Sequence, residues 1–81
     1  MIEDLDVGDM VVFKDGFEGV VDNVEYRNHP YRLVGGSFVD YHLSTGYYVR
    51  YITGEPEINK KMEDQIAKVI RHDKRRGDKQ G

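Results

Sequence analysis

The side chains able to do chemistry in this 81-residue chain are three histidines, fifteen acids and six tyrosines, for there is no cysteine. That absence removes disulfides, thiolate nucleophiles and sulfur-based zinc sites together. No two of His29, His42 and His72 sit at a ligand spacing such as i, i+4, so no metal is expected. Asp40 and His42 fall on one face of a short apolar stretch and form the nearest thing to a catalytic pair. Without a candidate nucleophile, such a couple reads as a surface hydrogen bond rather than a proton relay. The expectation is a non-enzymatic chain with no catalytic residue and no cofactor.

Tyrosine is the unusual component: Tyr26, Tyr31, Tyr41, Tyr47, Tyr48 and Tyr51. Adjacent residues of a strand point to opposite faces, so Tyr47 and Tyr48 cannot both enter a core. Aromatics beside arginines suit the anchoring of a protein partner or stacking on bases. The residues expected to form such a surface are Tyr31, Arg32, Tyr47, Tyr48, Arg50 and Tyr51. The alternative is that the tyrosines line a thin core with their hydroxyls at the surface. Lys68, Arg71, Lys74 and Arg75 recur at steps of three and four and, with Arg76, offer a phosphate-binding face if this segment is helical. A solvated helix end complementing its dipole accounts for them equally well.

The formal net charge of -3 is unevenly spread. Residues 1–25 hold eight acids against Lys14 alone, whereas residues 59–81 hold eight bases against four acids. Such asymmetry fits a basic partner at one face and an anionic one at the tail, or simply aids solubility. Met1 leads into Ile2-Glu3-Asp4-Leu5-Asp6, which lacks a basic region and an apolar run, and no later segment reaches membrane-spanning length. A cytoplasmic protein with no membrane partner is expected.

The elements that must position these groups follow from pattern. Asp9–Phe13 is a short apolar run ending at Asp15-Gly16, and the Val-rich stretch from Gly19 to Arg27 should pair with it. Asn28-His29-Pro30 interrupts, since proline cannot donate to a ladder. In the next strand Val39, Tyr41 and Leu43 alternate with Phe38, Asp40 and His42, and Ser44-Thr45-Gly46 turns the chain into "YYVRYI". Ile58, Met62, Ile66, Val69 and Ile70 then mark one stripe of an amphipathic helix, with Pro56 in its first turn and Gly77 as its stop. The spacing therefore predicts a mainly β chain of four or five antiparallel strands over 1–54, closed into a small SH3-like barrel. A C-terminal amphipathic helix over 55–77 and a disordered tail over 78–81 complete the single domain. A homodimer through the helix stripe is a further possibility.

The pattern Gly8-Asp9-x-Val11, Glu18-Gly19-x-Val21 and Val24-Glu25 resembles the start of the Tudor-like modules at the C-termini of bacterial superfamily-one repair helicases. It is similar, more loosely, to the polymerase-binding module of CarD regulators and to KOW segments. The likeness covers about a quarter of the chain. It implies a binding function, through a protein of the transcription or DNA-processing machinery or through nucleic acid itself. Direct nucleic-acid binding by the basic C-terminal segment is the alternative to a protein partner. A third reading is a small acidic inhibitor of a nucleic-acid enzyme, in the style of phage proteins.

Overall fold

The computed structural model describes residues 2–28 and 37–72. Among them a single 3-10 turn, Ile2–Asp4, precedes strands β1 (Met10–Phe13), β2 (Glu18–Arg27), β3 (Phe38–Leu43) and β4 (Tyr48–Ile52). Helix α1 (Pro56–Glu63) and strand β5 (Ile66–Ile70) follow. The strands form one antiparallel sheet in the order β4-β3-β2-β1-β5. Val11, Val21, Val39, Tyr41, Leu43, Val49 and Ile66, drawn from all five strands, meet in one core with Ile2 and Leu5. A flat sheet could not bring its two edge strands onto a shared core, so the sheet curls into a half-barrel. The long strand β2 makes the curl possible: its first half pairs with β1, its second half with β3. A bulge between Val21 and Asn23 bends it where the partners change.

The C-terminal segment departs from expectation. The helix does not run over 55–77; it ends at Glu63, and Ile66–Ile70 is a strand on β1. Ile58, Met62, Ile66, Val69 and Ile70 are therefore not one helical stripe. Ile66 enters the core, Met62 and Val69 pack against it, and Ile58 and Ile70 face solvent. The reason is tertiary: β1 would otherwise present an unpaired edge, and β-branched residues suit a ladder better than a helix. The expected tail over 78–81 lies outside the described residues.

Helix α1 serves the opposite edge. Asn59 is buried, its Oδ1 accepting from the Ile52 backbone N–H at 3.0 Å and its Nδ2 donating to the Ile52 carbonyl at 2.8 Å. One amide side chain thus stands in for a strand residue beside the end of β4. No helix is long and apolar enough to cross a membrane among the described residues.

Candidate binding site

Two hairpin turns are built to one plan. In Phe13-Lys14-Asp15-Gly16-Phe17, Phe13 N–H donates to the Phe17 carbonyl (2.7 Å), Gly16 N–H to the Phe13 carbonyl (3.0 Å), and Phe17 N–H to Asp15 Oδ1 (3.1 Å). In Leu43-Ser44-Thr45-Gly46-Tyr47, Leu43 N–H donates to the Tyr47 carbonyl (2.8 Å), Gly46 N–H to the Leu43 carbonyl (2.9 Å), and Tyr47 N–H to Thr45 Oγ1 (3.4 Å). Gly16 and Gly46 hold φ of 99° and 95°, the left-handed region that such loops reserve for glycine. Each turn therefore ends by projecting an aromatic ring from an equivalent position.

The second tip docks on β2. Ser44 N–H donates to the Val20 carbonyl at 2.8 Å, and Val20 N–H returns a bond to Ser44 Oγ at 3.1 Å. Gly19 permits this approach, because a Cβ there would lie 3.0 Å from Leu43 Cβ and 3.3 Å from Thr45 Cγ2. As a result Phe17 and Tyr47 stack with centroids 5.9 Å apart and planes 26° apart. Phe17 is 54 % exposed, Tyr47 58 % and Tyr48 50 %. Behind them a groove of about 480 Å³ is lined by Phe13, Phe17, Tyr47, Tyr48, Met62 and Gln65, with Asp15 its charged wall. Lys14 N–H donates to the Gln65 carbonyl at 2.9 Å, which fixes the α1–β5 turn against the first tip. Rigid rings on short, braced turns give contact area at little conformational cost.

The outer face of β2–β3–β4 carries a self-neutralised ladder. Arg50 donates from Nε to Asp40 Oδ1 at 2.6 Å and from Nη2 to Oδ2 at 2.9 Å. Its guanidinium lies 4.2 Å from the Phe38 ring centre and 5.2 Å from that of Tyr48. Hence Phe38 and Asp40, on the side of β3 expected to face water, are buried beneath an arginine from the next strand. The parity of Val39, Tyr41 and Leu43 toward the core is as the alternation predicts. His42 pairs with Glu25 across the sheet, Nε2 to Oε1 at 2.9 Å, and not with Asp40. That bond, aided by Arg27 at 2.8 Å, holds the Glu25 carboxyl below its ordinary range. Donor atoms of Glu25, Asp40 and His42 lie within 4.8 Å of one another, yet both carboxylates already carry an arginine.

At the other end of β1, Asp9 is fully buried. Its Oδ2 accepts from Asp6 N–H at 2.9 Å and from Arg71 Nη1 at 3.3 Å, and its Oδ1 from His72 N–H at 2.8 Å. Arg71 also donates to the Asp4 carbonyl at 2.9 Å and to Asp4 Oδ1 at 3.0 Å. This pairing lowers the Asp4 pKa and raises that of Arg71.

The residues expected to share a partner surface are thus distributed. Tyr47 and Tyr48 line the groove, and Arg50 lies beside Tyr48 but is bound to Asp40. Tyr51 packs on the core and borders a separate cleft with Glu3, Tyr26 and Phe38. Tyr31 and Arg32 lie outside the described residues. Of the expected phosphate-binding set, Lys68 is exposed on β5 and Arg71 is engaged by Asp4 and Asp9. Lys74, Arg75 and Arg76 fall outside the described residues. Phe13 and Phe17 were not expected at a site, and the signal that reveals them is the repeated apolar-x-x-Gly-aromatic turn; Asp15 was expected only among outward carboxylates and Met62 only in the helix stripe. Compared with protein-family models, curated proteins and solved structures, the chain shows no match.

Proposed function

We propose that this chain is a non-enzymatic binding module that takes a protein partner on the groove behind its paired hairpin tips. The observation that carries the reading is the stacked, half-exposed Phe17–Tyr47 pair, placed by two equivalently built turns. A core gains nothing from such rings, whereas an interface gains its anchoring residues. The strand order and the short helix between β4 and β5 support an SH3-like barrel, in keeping with the resemblance of the first hairpin. That resemblance points to a partner within the transcription or DNA-processing machinery. The nucleic-acid reading draws less support, since Arg50 and Arg71 spend their charge on Asp40, Asp4 and Asp9.

A photo-crosslinking phenylalanine analogue placed in turn at positions 17, 47 and 26, with the protein in its native cells, tests this. Discrete protein adducts from positions 17 and 47, absent from position 26 at the far end of β2, are expected. Equal labelling at all three, or adducts with nucleic acid only, would overturn the reading.

A further inference from the structure

The groove's walls restrict what its partner can be. Phe13, Phe17, Tyr47 and Met62 offer an apolar trough, and methionine adapts its shape to varied side chains. Asp15 introduces a single charge at the rim. Its Oδ1 accepts one backbone N–H, from Phe17, and among the described residues no cation pairs with it. A carboxylate has about four acceptor sites, so Asp15 keeps capacity for a bidentate or ammonium donor. A second opening lined by Phe13, Lys14, Asp15, Asp64 and Gln65 adjoins the same wall, and there Asp64 is paired with Lys60 at 3.5 Å. Of the acids in the first 25 residues, Asp4 and Asp9 are engaged by Arg71 and Glu25 by Arg27 and His42, and none of these three lines the groove, so Asp15 sets its sign. An acidic partner or a phosphate backbone is repelled from such a site.

Resting on the module reading above, we infer that the groove's occupant is a short peptide segment in which a lysine or arginine stands next to apolar anchors. The anchors fill the trough between Phe17, Tyr47 and Met62, and the cation meets Asp15. The neutral rings supply affinity; the carboxylate supplies selection by sign and the direction in which the segment lies.

Random-peptide display on the full chain, with counter-selection on a Phe17→Ala/Tyr47→Ala variant, tests this directly. Both residues are exposed, so the variant keeps its core. Retained peptides are expected to share a basic residue adjacent to one or two apolar ones. Replacing that basic residue by citrulline or glutamine should weaken binding roughly three- to tenfold, as should Asp15→Asn, which preserves the turn's side-chain acceptor. The two changes together should cost little more than either alone. If the retained peptides lack a basic residue, or Asp15→Asn leaves affinity unchanged, the inference fails and the module reading stands. If no peptide depends on Phe17 and Tyr47, both fall.

Discussion

At Asp9, two backbone N–H groups and a guanidinium converge on one fully buried carboxylate. Removing one partner of a buried charged network leaves the rest uncompensated, at a cost of about 3–5 kcal/mol. Asp9→Ala should therefore take away much of the stability a domain of this size possesses, read as the midpoint and extrapolated free energy of urea unfolding. Asp9→Asn keeps an acceptor and should lose less. Tyr41 makes a second case. Burial pushes its phenol up to about 12, above the ordinary value of 10.0. Because the folded pKa is the higher one, the associated stability is complete below about pH 10 and is lost as pH rises toward 12. Burial and Glu3 also hold the Tyr51 phenol above its ordinary range, so spectroscopic titration of phenolate should show late-ionising tyrosine, and Tyr41→Phe should diminish that late step without abolishing it.

At the scale of elements, the two hairpins were legible because their turns announce themselves: Asp15-Gly16 and Ser44-Thr45-Gly46 each separate apolar runs, and both occur where expected. β5 was not legible. Ile66, Val69 and Ile70 satisfy the i, i+3, i+4 helical spacing as well as they satisfy a five-residue strand, and no glycine or proline separates them from Pro56–Glu63. Only the pairing of Val11 with Val69 and of Phe13 with Ile66, distant in sequence, decides between them. The burial contrast along β5 provides a check. Ile66 is 4 % exposed and Ile70 47 %. Ile66→Ala should cost about 2–4 kcal/mol and Ile70→Ala less than about 1, measured by denaturant unfolding. A helical stripe sharing one face would have made the two losses similar. The groove was half legible for a related reason: exposed tyrosines follow from strand alternation, but their neighbours Phe13 and Met62 depend on where β2 bends and where α1 stops. The pairing of Arg50 with Asp40 was likewise hidden, since nothing local shows that the cation of one strand covers the acid of the next.

For the whole molecule, the division of labour runs along β1. Its C-terminal end carries the tip and the groove, while its N-terminal end carries Asp9 and the contacts to Arg71 and His72. Asp4 and Asp9 of the acidic N-terminal third meet Arg71, the residue after β5, at this second end, so part of the charge asymmetry is spent internally. Two ends of the described chain that meet beside antiparallel neighbours also define how the fold yields to tension. A force applied through Ile2 and His72 would load the Ile2–Glu63 bond and the contacts of Asp4 and Asp9 with Arg71, then peel β5 from β1 one ladder rung at a time, starting at Met10 and Ile70. Rungs loaded in succession resist less than rungs loaded together. The seam should therefore unzip at low force from the end that holds Asp9 and Arg71, with the Phe13–Ile66 rung beside the first aromatic tip the last part to open.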